Sequence, residues 1–278
     1  VCNYKVTCFK YYNVTFNYIA SNTISAADEA TIAAADVAIV VTGTNSSYSA
    51  EGRDRSTIAL PNGQADLISN VGKLNPNTIA IMETCGPMRV HTWQNDVNAI
   101  LWSSFGGLRK GVGFGNIITG AVNPSGKVTD TWHQNVSDAG ESDVPSIYDY
   151  NLYATNGSNG RTYMYYVGEN APSYPFGYGL SYTTFDLRCA EVRAEGTTVH
   201  LKADVTNTGS RAGKEVAQLY LSAPESGMTK EYQSLAAFAK TKDLASGESE
   251  TLELSFDLRE LASYRERDGA FILEGGDY

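Results

Sequence analysis

Positive charge is scarce in this 278-residue sequence, which has 21 lysines and arginines against 31 acidic residues and a formal net charge of −10. A surface field of that sign repels phosphate backbones and anionic membrane faces. Long apolar runs are also missing: none reaches the roughly 18–20 residues of a membrane span, and residues 31–41 are interrupted by Asp36. We therefore expect neither nucleic acid nor a membrane as a partner.

Cysteine is equally sparse, with four residues at irregular spacing: Cys2, Cys8, Cys85 and Cys189. A disulfide scaffold or a zinc site would show more cysteines or close CxxC pairs. We expect Cys85 and Cys189 to be buried thiols. Cys2 and Cys8 are near enough to pair in an oxidising compartment, and the sequence leaves both states open.

Clustered metal ligands are absent from the sequence as well. The three histidines are scattered and none pairs with acids or cysteines at ligand spacing: His91, His133 and His200. No metal and no organic cofactor is therefore implied.

Neither end of the sequence has the features of a natural terminus. Val1 stands in place of Met, and the opening residues lack the order of a signal peptide. Residues 271–278 predict a turn followed by a final strand that has only just begun. We expect a fragment of a longer protein.

Four sequons permit glycosylation and favour an extracellular location: Asn13, Asn45, Asn135 and Asn156.

The first two thirds of the chain alternate buried strands with helices, and 42% apolar residues are ample for two domains. Short β-branched runs at residues 37–41, 78–82 and 99–102 are typical of parallel strands buried on both faces. Residues 62–74 and 110–118 have apolar positions at helical spacing. This order predicts an α/β/α sandwich with a mostly parallel sheet, in which the loop at residues 42–61 leaves the carboxyl end of a strand, where functional residues collect.

From about residue 185 the hydrophobic period changes to two. Residues 199–205 and 251–256 alternate, a turn falls at 207–209, and 216–222 is a further strand. Short strands separated by frequent turns predict an all-β sandwich. We expect three segments: an unplaced stretch at 1–22, the α/β sandwich at 23–185, and the β-sandwich at 186–278, truncated at its C-terminal end.

Four stretches together resemble the C-terminal region of glycoside hydrolase family 3, in that family's order and over roughly residues 37–278. They are residues 50–55 (AEGRDR) with 58–61 (IALP), 123–127 (NPSGK) with 131–132 (TW), 174–185 (YPFGYGLSYTTF), and 207–220 (NTGSRAGKEVAQLY).

The resemblance implies a barrel domain, an α/β sandwich and a fibronectin type III-like domain, of which the last two are present. The family's barrel supplies the nucleophilic Asp, and this sequence has no Ser-Asp-Trp run of that type. We expect the C-terminal portion of a secreted, retaining exo-β-glycosidase, a β-glucosidase or β-xylosidase, with the barrel as its partner and a β-linked glucoside or xyloside as substrate. The chain alone is expected to be inactive, because hydrolysis with retention needs two carboxyl groups.

The resemblance places the acid/base at Glu51, although a solvated loop acid is the ordinary alternative. Tyr48 is a candidate for stacking on the leaving-group sugar or for packing. Asp54 and Arg55 are expected to structure the loop as an ion pair or helix cap. Many xylan-active relatives have an extra Glu where this chain has Ser49.

Several further residues are weaker candidates for the site. If Glu51 is not the acid, Glu83 after the second strand is the next candidate. Trp132 and residues 161–166 are weaker candidates for lining the substrate-binding crevice.

A rival function is a non-catalytic carbohydrate-binding or adhesion fragment. A nucleotide-binding domain is disfavoured because no glycine-rich fingerprint follows a strand.

Overall fold

A computed structural model describes residues 14–53, 55–134, 160–168, 171–224 and 227–278. Its contacts divide the chain into two compact units, Val1–Ala121 with Trp132–Ile147 and Val122–Thr131 with Tyr148–Tyr278. The boundaries expected at residues 22 and 185 stay predictions. Several predicted features lie outside the described residues: Cys2, Cys8, Asp54, and the sequons at Asn13, Asn135 and Asn156.

The first unit contains the parallel sheet that the apolar runs predict. Three strands pair in the order β1-β2-β3: β1 Ala38–Gly43, β2 Thr78–Glu83 and β3 Ala99–Ser103. Three helices accompany them: α1 Ala26–Ala34, α2 Gln64–Leu74 and α3 Lys110–Ile118. Ala80 and Met82 of the central strand are fully buried. The prediction of burial on both faces is wrong for β1, because Ile39 and Val41 on one of its faces are 38% and 69% exposed.

Helix α1 is the element of this unit that the sequence interpretation missed. It begins with a capping box, in which the Ser25 hydroxyl accepts from the Asp28 amide at 3.3 Å and the Asp28 carboxylate accepts from the Ser25 amide at 2.9 Å. These bonds satisfy amides that have no partner in the first turn. The Ser-x-x-Asp pattern was present in the sequence, but the alanine-rich helix has few large apolar residues to show a period.

The buried side chain of Asn75, which directly follows α2, bonds the C-terminal end of α1. Its amide donates to the carbonyl oxygens of Ile32 at 2.9 Å and Ala35 at 2.7 Å, at the end of α1. Its carbonyl oxygen accepts from the backbone amide of Asn77 at 2.8 Å, just before β2. Asn75 thereby fixes how α1 and α2 lead into the sheet.

The second unit contains the predicted antiparallel β structure. One sheet has the order β4-β5-β8, formed by β4 Phe185–Glu195, β5 Thr198–Asn207 and β8 Ser249–Asp257. Two further pairs are β6 Val216–Leu221 with β7 Ser234–Lys240 and β9 Ser263–Arg265 with β10 Ala270–Ile272, and a short helix α4 spans Thr162–Tyr165. The buried core comprises Ala203, Val205, Ala217, Leu244, Leu252 and Leu254.

Strands β4, β7 and β9 were not predicted as strands. The prediction for residues 271–278 is wrong, because the last strand, β10, ends at Ile272 and no strand follows it in residues 273–278. β4 is largely exposed along its length, so its charged and apolar residues do not indicate a buried face. The expectation of buried thiols is wrong for both described cysteines. Cys85 lies in the loop after β2 and Cys189 lies on β4, and both are exposed. No helix among the described residues is long and apolar enough to cross a membrane.

Asn207, at the end of β5, has a fully buried side chain whose amide and carbonyl groups each make two hydrogen bonds. Its amide donates to the carbonyl oxygens of Arg211 at 2.7 Å and Leu244 at 2.8 Å. Its carbonyl oxygen accepts from the Thr183 hydroxyl at 2.7 Å and from the Gly209 amide at 3.1 Å. The Asn-Thr-Gly motif is therefore a structural feature of this unit.

The same unit joins the remaining motifs by side-chain bonds. Asn123 donates to the carbonyl oxygen of Ala212 at 2.9 Å and accepts from the Ser181 hydroxyl at 2.9 Å. Lys127 pairs with Glu215 at 2.7 Å and donates to the Gly179 carbonyl oxygen at 3.0 Å. Three of the four recognised stretches thus form one polar network.

We predict that Asn207→Ala lowers the free energy of unfolding of the second unit by about 3 kcal/mol, because four groups lose a buried partner. Thr208→Ala removes one exposed hydroxyl contact and should change stability by less than about 0.5 kcal/mol. Urea denaturation of both variants, with hydrogen exchange in β5 as the local probe, checks the difference. Equal stability of the two variants would contradict a structural role for Asn207.

Candidate active site

The carboxyl ends of the three parallel strands form the edge on which the candidate site stands. The loop after β1 begins with a hydrogen bond from the Thr44 amide to the Glu83 carbonyl oxygen at 3.0 Å. The loop after β2 begins similarly, with the Thr84 amide donating to the Ser103 carbonyl oxygen at 3.3 Å. Adjacent loops therefore leave the sheet side by side, as expected for functional loops of an α/β fold.

Gly43 allows the first of these loops to begin where it does. A Cβ atom at this position would lie 2.4 Å from the Glu83 carbonyl oxygen, which is closer than atoms can approach. Gln64, the first residue of α2, accepts from the Gly43 amide at 2.9 Å and donates to the Gly43 carbonyl oxygen at 3.0 Å. These hydrogen bonds thus hold together the two ends of the loop at residues 44–63.

Glu51 lies in a tight turn within this loop. The amide of Ala50 donates to the Arg53 carbonyl oxygen at 3.2 Å, and the Arg53 amide donates to the Ala50 carbonyl oxygen at 3.0 Å. Gly52 has a φ of 71°, a conformation that favours glycine and explains the Glu-Gly pair. Glu51 is exposed, and its carboxylate makes no hydrogen bond or ion pair with any described residue.

Tyr48 ties the start of the loop to its later part. Its hydroxyl lies 2.9 Å from the Thr57 carbonyl oxygen and 2.7 Å from that of Ala59, both of which are acceptors. Burial raises the pKa of this tyrosine above its ordinary value. The hydroxyl is thus engaged within the loop, and stacking of the ring on a sugar stays a prediction.

Arg55 connects the loop after β1 to the loop after β2. Its Nη1 atom lies 3.0 Å from Met88 Sδ and 3.8 Å from Cys85 Sγ. Backbone bonds run beside it, including one from the Arg89 amide to the Ile58 carbonyl oxygen at 2.6 Å. These contacts fix the loop; the sequence offered no signal for them, because the partners are about 30 residues apart.

Glu83, the second candidate acid, is the last residue of β2 rather than part of the following loop. Its carboxylate forms an ion pair with Lys110, the first residue of α3. The Glu83 carboxylate is thus engaged by Lys110, whereas the Glu51 carboxylate has no hydrogen-bond or ion-pair partner among the described residues.

Trp132, a weaker candidate for the crevice, belongs to the core of the first unit. It is 1% exposed and packs edge-on against Trp102, with ring centroids 5.4 Å apart. Residues 161–166 belong to the second unit, where Tyr163 stacks on Phe176 with centroids 4.0 Å apart. Trp132 therefore has a packing role.

Comparison with known families matches both units. Residues 3–182 match the family model described as the glycosyl hydrolase family 3 C-terminal domain. Residues 215–278 match the fibronectin type III-like domain. The first match covers more than half of the chain.

Comparison with individual proteins gives the same result. The chain is 35% identical to β-glucosidase B of Emericella nidulans, over 87% of this chain and 30% of that protein. It is 33% identical to a β-glucosidase of Rhizobium radiobacter, with the same coverage of both chains. The chain thus spans about 30% of the length of these curated relatives.

Solved structures also resemble the chain. A Kluyveromyces marxianus β-glucosidase in complex with glucose has a TM-score of 0.78 and 29% identity, over 88% of this chain and 30% of that one. A family 3 exo-β-xylosidase in complex with a xylobiose aziridine probe has a TM-score of 0.75 and 27% identity, over 87% of this chain and 34% of that one.

We predict that Tyr48→Phe lowers the free energy of unfolding of the first unit by about 1–2 kcal/mol, because two carbonyl oxygens lose their shared donor. Amide exchange should accelerate in residues 44–63 and stay unchanged in β2. Tyr18→Phe is the matched control, since Tyr18 is 72% exposed. Hydrogen exchange measured by mass spectrometry checks both variants, and unaltered exchange in Tyr48→Phe would contradict the bracing role.

The raised pKa of Tyr48 predicts a pH dependence of stability. The folded state holds the phenol proton more tightly than the unfolded state, so this contribution is present below the ordinary pKa of 10.0 and is lost as pH rises above it. In near-ultraviolet titration, the difference between wild type and Tyr48→Phe should therefore show a midpoint above 10.0. A midpoint at or below that value would contradict the burial effect.

Proposed function

Because the chain belongs to glycoside hydrolase family 3, we propose that it is the C-terminal portion of a secreted, retaining exo-β-glycosidase. In this proposal Glu51 is the acid/base of an active site that a barrel domain completes. The observation that carries the proposal is the exposed carboxylate of Glu51, which has no partner among the described residues, on a hydrogen-bonded turn in the loop that leaves the carboxyl end of β1.

The proposed site is half of a catalytic pair. Retaining hydrolysis uses two carboxyl groups about 5–5.5 Å apart, one of which attacks the anomeric carbon while the other transfers the proton. The absence of a Ser-Asp-Trp run and the 30% coverage of the relatives support a nucleophile supplied from the barrel. The sandwich portion then contributes the proton-transfer group.

Glu51 acts twice in the proposed cycle. It first donates its proton to the glycosidic oxygen while the barrel carboxylate forms the glycosyl-enzyme bond, so the leaving group departs as an alcohol. It then removes a proton from the water that cleaves this bond. An acid that works near neutral pH must be shielded or lie beside a second carboxylate, and the barrel would supply both conditions.

The substrate class follows from the family rather than from this chain. Similar solved structures include a β-glucosidase bound to glucose and an exo-β-xylosidase bound to a xylobiose-derived probe. We accordingly propose a β-linked glucoside or xyloside. Secretion is supported by the exposed sequon at Asn45, whose side-chain oxygen accepts from the Ser47 amide at 2.9 Å and leaves its nitrogen available.

We predict that the purified 278-residue chain does not hydrolyse an aryl β-glucoside or β-xyloside, because no nucleophile is present to form the covalent intermediate. Nitrophenol release measured over hours checks this. Turnover by the chain, in a preparation shown by mass spectrometry to contain no other glycosidase, would overturn the half-site proposal.

The role of Glu51 is testable in a chimera in which this chain replaces the matched segment of the Kluyveromyces marxianus β-glucosidase. Glu51→Gln should slow alkyl glycosides by about 10² to 10⁴-fold, the usual contribution of general acid catalysis. Dinitrophenyl glycosides should keep a fast first step, because that leaving group departs without a proton. Azide should then restore turnover and yield a β-glycosyl azide.

Two matched variants separate this role from a structural one. Glu29→Gln alters an exposed acid in the first turn of α1 and should leave activity unchanged. Glu83→Gln breaks the pair with Lys110, and any loss should fall equally on all leaving groups. An equal loss for Glu51→Gln, without azide product, would assign the acid elsewhere. A chimera that does not fold would be replaced by co-expression of the chain with the separate barrel.

A further inference from the structure

A cavity of about 750 Å³ lies within the second unit and has no part in the proposed catalysis. It is lined by Tyr165 of α4, by Met228, Thr229 and Glu231, and by residues 260–266, which include β9, and it is partly open to solvent. None of its lining residues belongs to the unit that carries Glu51. The volume is within the range of sites that hold small ligands.

Aromatic rings and carboxylates line this cavity together. Tyr264 of β9 is 55% exposed, and its ring is braced edge-on by Phe271 of β10, with centroids 5.2 Å apart. A ring that is both exposed and held in place can stack against an apolar ligand face at little entropic cost. Tyr165 offers a second ring from α4.

The polar lining mixes acceptors with donors. Glu231 is oriented by the Ser234 hydroxyl, which donates to its carboxylate at 2.9 Å, while Glu260 is exposed. Donors come from Thr229, from Ser263 and from Arg265, whose charge is balanced by Asp268 at 2.5 Å. Ligand hydroxyls, which both donate and accept, match such a lining.

A cation matches the cavity less well. A metal ion needs converging ligands, and no group of three His, Cys, Asp or Glu side chains in the described ranges is arranged to hold one. An organic cation would pair with the carboxylates of Glu231, Glu260 and Glu266 but would leave the donors of Thr229, Ser263 and Arg265 unused. A neutral polyhydroxylated ligand with apolar faces uses the rings, the acceptors and the donors.

We propose that this cavity is an accessory site that binds a β-linked oligosaccharide without cleaving it. The polyhydroxylated chemistry follows from the lining, and the choice of a β-linked glycan rests on the proposed function. Such a site would hold the enzyme on a glycan chain while another end of that chain is hydrolysed.

The test uses the 278-residue chain with cellotetraose as the probe, in calorimetry and saturation-transfer NMR. Wild type should bind with transfer to the sugar ring protons. Tyr264→Ala should weaken binding about tenfold, because it removes the stacking ring. Tyr264→Phe keeps the ring and should bind within about threefold of wild type, and Glu260→Gln, at an exposed position, should weaken binding.

Two controls locate the site. Phe238→Ala removes a 69% exposed ring of β7 that does not line the cavity, and Glu51→Gln alters the catalytic loop. Both should bind as wild type does. Absence of binding to wild type, equal loss in Phe238→Ala, loss in Glu51→Gln, or binding of spermine in place of cellotetraose would each overturn the accessory site. None of these outcomes bears on the leaving-group test of Glu51, which uses the chimera.

Discussion

At the carboxyl end of the parallel sheet, Gly43 lies so close to the carbonyl oxygen of Glu83 that no side chain fits between β1 and β2. This contact sets where the loop after β1 leaves the sheet. Gln64 returns the chain to the same point by bonding both backbone groups of Gly43. The position of the Glu51 turn therefore follows from a steric constraint between two strands of the sheet.

The described part of the loop combines side chains held by hydrogen bonds with a Glu51 carboxylate that has no such partner there. Tyr48 and Arg55 each use their polar atoms on neighbouring carbonyl oxygens or sulfur atoms, whereas the Glu51 carboxylate has no partner among the described residues. A structural carboxylate is normally held by amides or cations, as Glu83 is held by Lys110. A free carboxylate on a braced loop suits a group whose partners, a nucleophile and a substrate, come from outside the chain.

Sequence patterns predicted the strands and helices better than they predicted the contacts between side chains. The three parallel strands and α3 follow from apolar runs, although β1 is buried on one face only and Val41 on its other face is 69% exposed. Helix α1 and strand β4 were missed, since neither has a strongly buried face. The exposure of Cys85 and Cys189 was also missed, because residue type gives an average burial that loops and edge strands do not follow. Arg55 beside Met88 could not be predicted, as their proximity depends on how two loops fold over the sheet edge.

In this chain, most of the motifs that resemble the family belong to the unit that does not contain the proposed catalytic residue. Three of the four recognised stretches are held together by Asn123, Lys127 and Asn207, whose bonds are internal to the second unit. Buried polar networks constrain sequence strongly, because each member leaves its partners unsatisfied when it is lost. A carboxylate on a turn restricts the residue type only at its own position and at the adjacent glycine. The three stretches held by this network therefore report mainly on folding, whereas the stretch around Glu51 is the one on which the proposed acid/base role depends.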